Sequence, residues 1–342
     1  MKPIGVIGAG SFGTAVADLL SKNSDVLIFS RQQKVIDAIN IDRRHYDVQF
    51  NDRVRAVGDL QEIARQCELI FPIVPSHAFR RTIRAIAPYL HPYHFVIHGT
   101  KGFDTDEIDE ADFVKGLSRR TVHTMSEVIR QETSVVRIGC FAGPNLAKEI
   151  IQGQPTAAVI SSPFEEVFRA GKKVLDSERF HVFYNDDIIG TETAGALKNI
   201  IALGSGIISG MGMGKNLQAM LITRGLVEMI VFGKALGAGN EAFLGTAGIG
   251  DLIATATSSD SRNYSVGFRI AKGESVREIN ASMVETAEGL RTLKIARQLA
   301  RHYKLKVPIT DIIYKVIYEG LDPKKALEYL ITFPYDVDVD FI

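Results

Sequence analysis

The stretch Val6–Leu20, "VIGAGSFGTAVADLL", sets three glycines, Gly8, Gly10 and Gly13, in the spacing G-x-G-x-x-G. It continues an apolar run and opens a segment with apolar residues at helical period, so it predicts a strand, a tight turn and a helix. In this pattern the first glycine permits the turn, the second lets a pyrophosphate approach the backbone, and the third allows close helix packing. Free N–H groups at the helix N-terminus then attract phosphate. The stretch predicts dinucleotide binding, against the alternative of a plain glycine-rich turn.

Outward from this loop, short apolar runs alternate with helix-length segments. The runs are "IGVIG", "VLIFS", "LIFPIV", "HFVIHG", "RIGCFAG", "TAAVISS" and "FHVFYN". This alternation predicts a doubly wound, mostly parallel sheet. After about Asn185 only helical patterns continue, such as the helix that Pro308 opens in "PITDIIYKVIYEG". We therefore predict an α/β fold, with a Rossmann-type dinucleotide-binding domain over residues 1–190 and an all-α substrate and catalytic domain over residues 191–342.

Length and composition limit the classes of function. A chain of 342 residues is long enough for two cores, and its 40 basic residues balance its 40 acidic ones. This balance gives no electrostatic footprint for nucleic acid or for a membrane surface. Two cysteines, Cys67 and Cys140, cannot build a disulfide framework, and no signal peptide or membrane span is indicated. We expect a cytoplasmic protein without membrane insertion, and the His and Cys spacings indicate no metal site.

The end of the second predicted strand bears on the cofactor. An NAD-binding domain usually has Asp or Glu there, about 20 residues past the loop, to bind the ribose hydroxyls. This chain has Ser30 and Arg31 instead. A hydroxyl and a guanidinium suit a 2′-phosphate, so NADP(H) is favoured and NAD(H) remains possible. The alternative is that Arg31 is an ordinary surface charge.

The stretch "TETAGALKNIIALGSGI" has a single charge, Lys198, in a helix of small and apolar residues. None of the residues three or four positions away is an acid that could pair with it. The amine is either a solvated chain end or a functional group, and the helical pattern alone favours the first interpretation.

Other segments combine glycines with polar side chains. In open α/β sheets ligands bind beyond the carboxyl ends of the strands, where "VIHGTKGFD" and "GCFAGPNLAKEI" leave predicted strands. In the helical half, "GTAGIGDLIATATSSDSRNYSVG" brings an acid close to a cluster that could hold a phosphate. Each segment alone is equally compatible with a turn, a helix cap or a solvated loop. The candidates are Lys101, Gly143, Asn145, Asp251, Ser261, Arg262 and Asn263.

Taken together, these segments resemble the bacterial type of NAD(P)-dependent glycerol-3-phosphate dehydrogenases over nearly the whole chain. The matching blocks occur in the family's order. They are "GAGSFGTA", "PSH", "GTKG", "GPNLAKE", "GALKNIIALGSGI", "LITRGLVEM", "GTAGIGDLIAT", "SRN" and "AEGLRT". The chain departs from the family at Asn145, where Thr or Ser is commoner. It also lacks the Leu-Pro that often follows the tyrosine at the position of Tyr46.

The resemblance implies reduction of dihydroxyacetone phosphate to sn-glycerol 3-phosphate, the backbone precursor of glycerophospholipids. It also implies a homodimer, with a Rossmann-type domain, a helical domain and a site in the cleft between them. The family's catalytic lysine falls on Lys198. Its substrate contacts fall on Lys101, Gly143, Asp251, Ser261, Arg262 and Asn263, with Asn145 as a further candidate. Its cofactor contacts fall on Ser11, Phe12, Arg31, Lys101, Ala147, Arg262 and Glu288, beside Gly8, Gly10 and Gly13.

The mechanism expected from these residues is hydride transfer to the keto carbon, with the Lys198 ammonium donating a proton to the oxygen. A free lysine titrates near ~10.4. Apolar surroundings and Lys101 should lower the pKa of Lys198, whereas Asp251, if close, should raise it. The rival hypotheses are a dehydrogenase of the 3-hydroxyacid or 6-phosphogluconate type and a nucleotide-sensing protein without chemistry.

Overall fold

The structure is a computed structural model that describes residues 2–106, 108–283, 285 and 287–332. Residues 333–342, which belong to the predicted second domain, lie outside the described residues. The strands of the described part, in chain order, are β1 (Ile4–Ile7), β2 (Val26–Phe29), β3 (Arg44–His45), β4 (Val48–Gln49), β5 (Val54–Val57), β6 (Leu69–Pro72), β7 (Phe95–His98), β8 (Arg137–Ala142), β9 (Thr156–Ser161) and β10 (Phe180–Asn185).

Within these residues the main sheet has eight strands in the order β10-β9-β8-β7-β6-β1-β2-β5. Neighbouring strands are parallel except β8 and β9, which are antiparallel. Strands β1, β2 and β6 are buried along their whole length, as expected for a parallel sheet covered on both faces. The predicted α/β fold class is confirmed. The edge strand β5 and the small antiparallel hairpin of β3 and β4 are absent from the strands that the apolar runs predict.

Sixteen α-helices occur in the described part of the chain. They are α1 (Ser11–Ser21), α2 (Gln33–Asn40), α3 (Leu60–Gln66), α4 (Ser76–Ile86), α5 (Met125–Glu132), α6 (Ala147–Ile151), α7 (Glu165–Leu175), α8 (Ile188–Gly210), α9 (Lys215–Leu236), α10 (Glu241–Leu244), α11 (Asp251–Thr257), α12 (Arg262–Ala271), α13 (Val276–Ser282), α14 (Glu288–Tyr303), α15 (Pro308–Tyr318) and α16 (Pro323–Thr332). Short 3₁₀ turns occur at Ala87–Tyr89 and Glu110–Lys115, and a π-helical turn at Thr246–Gly250. No helix in the described part of the chain is long and apolar enough to cross a bilayer.

The chain divides into two compact units. The first comprises Met1–Asp104 and Thr124–Ile188, and the second comprises Thr105–His123 and Ile189–Ile342. The sequence analysis places its boundary two residues later, after residue 190, but it includes Thr105–His123 in the first domain. That segment belongs instead to the second unit, because Arg291 donates to Thr105 Oγ1 at 2.8 Å and the Arg119 N–H donates to Tyr303 Oη at 3.0 Å. These partners are far away in sequence, so local patterns do not reveal the association.

In the second unit, α8 and α12 cross with their backbones in direct contact. A Cβ atom on Gly267 of α12 would lie 1.9 Å from the Leu203 carbonyl oxygen of α8. A Cβ atom on Gly206 of α8 would lie 2.0 Å from the Tyr264 carbonyl oxygen of α12. Side chains at either position would push the helices apart, so these glycines fix the separation between the helix that carries Lys198 and the helix that begins at Arg262.

A carboxylate from α9 caps the N-terminus of α15. Glu228 is buried and accepts hydrogen bonds from the Ile309 N–H at 2.5 Å, the Thr310 N–H at 2.9 Å and Thr310 Oγ1 at 2.7 Å. The N-terminal amides of a helix need such acceptors, and no side chain of α15 itself supplies one. Burial raises the pKa of the Glu228 carboxyl to about 7, although the hydrogen bonds from Thr310 and Ile309 lower it.

This pKa predicts a pH-dependent stability. Because the folded pKa of Glu228, about 7, exceeds the ordinary glutamate value of 4.5, its stabilising contribution is complete below pH 4.5 and is lost as pH rises through 7. In Glu228→Gln this dependence should disappear, so the difference in unfolding free energy between wild type and variant should change by about 3 kcal/mol across that window. Urea unfolding at pH 4.5 and pH 8 measures it, with exposed Glu241→Gln as control. Parallel pH profiles for wild type and Glu228→Gln would contradict the prediction.

Candidate active site

The loop between β1 and α1 has the geometry that the three glycines predict. Gly8 has φ +119°, and a Cβ atom there would lie 2.1 Å from the Ile73 carbonyl oxygen. A Cβ atom on Gly13 would lie 2.0 Å from the Gly8 carbonyl oxygen. Only glycine fits at both positions, so α1 approaches β1 and the end of β6 as closely as backbones allow.

The N-terminus of α1 has free donors. Gly10 is the N-cap, no side chain caps the helix, and its first turn has no acid. The first backbone bond of the turn runs from the Thr14 N–H to the Gly10 oxygen. In the described part of the chain, the N–H groups of Gly10, Phe12 and Gly13 donate to no protein acceptor. These features fit a dinucleotide pyrophosphate, because backbone donors and a positive helix end converge where no carboxylate opposes them.

Two other predicted cofactor residues border this loop. The Phe12 ring stacks on the Phe141 ring with centroids 6.0 Å apart, while Ser11 opens α1.

At the end of β2, Ser30 is buried and its Oγ accepts a hydrogen bond from the Gln32 N–H at 3.2 Å. Arg31 is exposed, and among the described residues its guanidinium has no hydrogen bond or ion pair. Ser30 therefore keeps its own O–H as a donor, beside an available cation.

The carboxyl ends of β7 and β8 bring three more candidates together. Lys101 Nζ donates to the Gly143 carbonyl oxygen at 3.1 Å. Asn145 is 8% exposed, and neither its Nδ2 nor its Oδ1 has a hydrogen-bond partner in the described structure. A buried amide without partners is costly, so this side chain is suited to a polar ligand. Ala147 begins α6 two residues later.

In the second unit, Lys198 forms a buried ion pair. The Lys198 side chain is 5% exposed and the Asp251 side chain 2%. Lys198 Nζ makes a short contact with Asp251 Oδ1 and donates to Thr255 Oγ1 at 2.6 Å, while Thr255 Oγ1 donates to Asp251 Oδ1 at 3.3 Å. Asp251 follows the π-helical turn Thr246–Gly250 and begins α11. The carboxylate favours the ammonium form of Lys198 and, with the hydroxyl, fixes its direction.

A chain of amides adjoins this pair. Asn263 Nδ2 donates to Asn199 Oδ1 at 2.9 Å, and Asn263 Oδ1 accepts from the Gly289 N–H at 2.9 Å. Both asparagines are buried. Asn263 thus joins the starts of α12 and α14 to α8, and it retains one amide hydrogen for a ligand. Ser261 is buried and caps α12 by accepting from the Tyr264 N–H at 3.3 Å.

The remaining predicted contacts differ in exposure. Arg262 is the first residue of α12, its side chain is 47% exposed, and its NH1 lies 2.9 Å from Glu285 Oε2. An incoming phosphate would compete with this carboxylate for the guanidinium. Glu288 is half-buried at the first position of α14, beside the Gly289 amide that Asn263 holds.

Two residues of this cluster, Thr255 and Asn199, are absent from the sequence-based predictions. Thr255 lies four positions after Asp251, so helical spacing could have placed it on the same face. Asn199 follows Lys198 directly and points elsewhere on α8, and its partner Asn263 is 64 residues away. No local pattern identifies such a partner. In the described part of the chain, no three His, Cys, Asp or Glu side chains are grouped as a metal site.

A loop with glycines in this spacing on a doubly wound sheet and a helical second unit with a buried lysine are typical of dinucleotide-dependent dehydrogenases. Residues 3–167 match the family model for the N-terminus of NAD-dependent glycerol-3-phosphate dehydrogenase, and residues 187–328 match the model for its C-terminus. The chain therefore belongs to the NAD-dependent glycerol-3-phosphate dehydrogenase family. This membership confirms the enzyme class that the sequence blocks predict.

Relatives agree with this assignment. The chain is 37% identical over 342 residues to the glycerol-3-phosphate dehydrogenase (NAD(P)+) of Acinetobacter baylyi, covering 98% of this chain and 92% of the relative. It is 36% identical over 342 residues to the enzyme of the same name from Teredinibacter turnerae, covering 98% and 96%. The crystal structure of glycerol-3-phosphate dehydrogenase from Coxiella burnetii superposes with a TM-score of 0.86 at 30% identity, covering 97% of this chain and 99% of that one.

Proposed function

We propose that this chain reduces dihydroxyacetone phosphate to sn-glycerol 3-phosphate, reversibly, with a nicotinamide dinucleotide. The observation that carries the proposal is the buried pair of Lys198 and Asp251, held by Thr255, in a chain of this family. When bound, the dinucleotide supplies the hydride. Lys198 donates the proton to the carbonyl oxygen as negative charge develops there, and in reverse it accepts the hydroxyl proton.

Asp251 and Thr255 have a positioning role in this proposal. A lysine side chain has four rotatable bonds, and two acceptors on one turn of α11 restrict its ammonium to one direction. Both acceptors belong to α11, so they hold the ammonium at the start of that helix, from where it would donate to the substrate oxygen. After it gives up its proton, Lys198 regains one readily because Asp251 stabilises the charged form.

The phosphate of the substrate would bind at the N-terminus of α12. Arg262 offers a guanidinium, Ser261 a hydroxyl hydrogen and Asn263 an amide hydrogen, and the ten-residue helix adds its positive end. Binding energy from this phosphate, remote from the reacting carbon, would orient the carbonyl. In the first unit, Lys101 and Asn145 would supply polar contacts to the substrate, because Asn145 is buried with both amide atoms unpaired.

A steady-state comparison tests the reaction and its rivals. Purified protein with NADPH should reduce dihydroxyacetone phosphate with a kcat/KM at least about 100-fold above that for dihydroxyacetone, since loss of charged hydrogen bonds to phosphate costs about 1.5–3 kcal/mol each. Oxidation of 3-hydroxyacids and of 6-phosphogluconate should be undetectable. Equal kcat/KM values for dihydroxyacetone phosphate and dihydroxyacetone would contradict the proposed role of Arg262, Ser261 and Asn263 in binding the substrate phosphate.

For the cofactor we propose a preference for NADP(H), supported by Ser30 and by the exposed guanidinium of Arg31 at the end of β2. Arg31→Ala should raise KM for NADPH about tenfold or more and change KM for NADH little, because only NADPH has the 2′-phosphate. A matched control is Arg65→Ala, an exposed arginine in the last turn of α3, shortly before β6 begins. A wild-type preference for NADH would overturn the proposal.

We also propose that the protein is a cytoplasmic homodimer that supplies glycerol 3-phosphate for glycerophospholipid synthesis. Family membership supports the dimer and the role of the product. Two free, buried cysteines, Cys67 and Cys140, are compatible with a reducing compartment. Light scattering coupled to gel filtration should give twice the chain mass of 37.6 kDa.

A further inference from the structure

The small hairpin of β3 and β4 brings a histidine to the dinucleotide loop. His45 Nε2 lies 2.9 Å from the Ala9 carbonyl oxygen, between Gly8 and Gly10. A carbonyl oxygen only accepts, so Nε2 carries the hydrogen and donates it. The His45 side chain is half-buried, and its ring lies 4.6 Å from the Tyr46 ring, measured between centroids. Ala9 and His45 are 36 positions apart in the chain.

The hairpin that presents His45 is firmly attached to the first unit. Arg43, just before β3, donates to the Val54 carbonyl oxygen at 2.9 Å and to the Asn51 carbonyl oxygen at 2.8 Å. The Phe50 N–H in turn donates to the Arg43 carbonyl oxygen at 2.7 Å. Val48 and Phe50 are buried in the core of this unit. His45 is therefore held against the loop by packing on both sides of the hairpin.

The bond to Ala9 determines the direction of the next amide. The peptide unit between Ala9 and Gly10 is trans and planar, so its C=O and its N–H point in opposite directions. Because the Ala9 oxygen faces His45, the Gly10 N–H faces away from it. This N–H has no protein acceptor in the described structure, and neither have the N–H groups of Phe12 and Gly13 that follow it in α1. Donation to the Ala9 oxygen also polarises the amide and strengthens Gly10 as a donor.

We propose that His45 is a positioning residue for the cofactor: it orients the Ala9–Gly10 peptide so that the Gly10 N–H is directed at the dinucleotide pyrophosphate. The inference rests on the proposed role of the Gly8–Gly13 loop in dinucleotide binding. His45 acts through the backbone of the loop and contacts no reacting atom. Its contribution is to affinity for both NADPH and NADH, since the pyrophosphate is common to them. Arg31, by contrast, contributes to affinity for NADPH only.

The test is a fluorescence titration of the purified protein with NADPH and with NADH, without substrate. His45→Ala should weaken binding of both about three- to tenfold, the effect of one hydrogen bond. His45→Gln should restore affinity to within twofold of wild type, because the Gln amide can donate to the same oxygen. In turnover assays, KM for either dinucleotide should rise more than kcat falls. Asp47→Ala, at the exposed apex of the same hairpin, controls for disturbance of the hairpin.

The outcomes separate the inference from the function on which it rests. Unchanged affinity in His45→Ala overturns the inference, and so does His45→Gln that binds no better than His45→Ala. If His45→Ala fails to fold, the dinucleotide affinity of His45→Gln is compared with that of wild type. A tenfold lower affinity in His45→Gln then overturns the inference. Absence of NADPH and NADH binding in the wild type would instead contradict the proposed function.

Discussion

Replacement of Lys198 by methionine is expected to lower kcat for dihydroxyacetone phosphate reduction by about 10²–10⁴-fold, the usual contribution of a positioned acid. Affinity for NADPH, measured by fluorescence titration, should remain close to wild type. The reason is that the dinucleotide loop belongs to the first unit, whereas Lys198 belongs to α8 in the second. Turnover comparable to wild type would contradict the role of Lys198 as proton donor.

The same replacement also threatens the fold, and a second variant separates the two effects. Removal of Lys198 takes away the cation that neutralises the buried Asp251 carboxylate, which costs about 3–5 kcal/mol. In the double variant Lys198→Met/Asp251→Asn neither partner of the pair is charged, so most of the unfolding free energy should return. Turnover should not return, because the acid is still missing. Recovery of activity together with stability would show that Lys198 has only a structural role.

Substitution of Gly267 by alanine should lower the unfolding free energy by about 3 kcal/mol, a large effect for one added methyl group. The added Cβ atom would lie 1.9 Å from the Leu203 carbonyl oxygen, a backbone atom that no rotamer change can move away. Helices α8 and α12 would have to separate, which also moves Arg262 and Asn263 at the start of α12. We therefore expect KM for dihydroxyacetone phosphate to rise in any protein that still folds. Urea unfolding and steady-state kinetics measure the two effects.

Gly214→Ala is the matched control. Gly214 is the N-cap of α9 in the same unit, and a Cβ atom there meets nothing within 4 Å. Its unfolding free energy should change by no more than about 1 kcal/mol, the general cost of replacing an N-cap residue. An equal loss in both variants would show that close approach of α8 and α12 is not the cause.

Much of the sheet could be predicted from the sequence because its parallel strands are buried on both faces and therefore are continuous apolar runs. Strand β5 is not a continuous apolar run and was therefore not predicted. Its sequence "VRAV" contains the exposed Arg55, and it lies at the edge of the sheet beside β2. Strands β3 and β4 have two residues each, too few for any periodicity to show. The hairpin that brings His45 to the dinucleotide loop was missed for this reason.

The candidate residues could be proposed from the sequence, but their arrangement could not. The helical pattern around Lys198 correctly indicated that no local acid pairs with it, and its partner Asp251 lies 53 residues away. Spacing alone could not decide which effect on the pKa of Lys198 is larger, that of its apolar surroundings or that of a nearby carboxylate. The answer depends on the π-helical turn before α11, which places Asp251 in contact with Lys198. The catalytic and binding roles of these residues stay predictions until the variants are measured.

The path of the chain has a consequence for biosynthesis. Residues Thr105–His123 belong to the second unit but are translated in the middle of the first, and their hydrogen-bond partners Tyr303 and Arg291 follow 184 and 186 positions later. When the first unit emerges from the ribosome, this insert has no surface on which to fold. A fragment that ends at residue 188 would therefore carry an unmatched segment, and one that begins at residue 189 would lack part of its own structure. Neither unit corresponds to one continuous stretch of the chain, so a cut at residue 188 would separate neither of them intact.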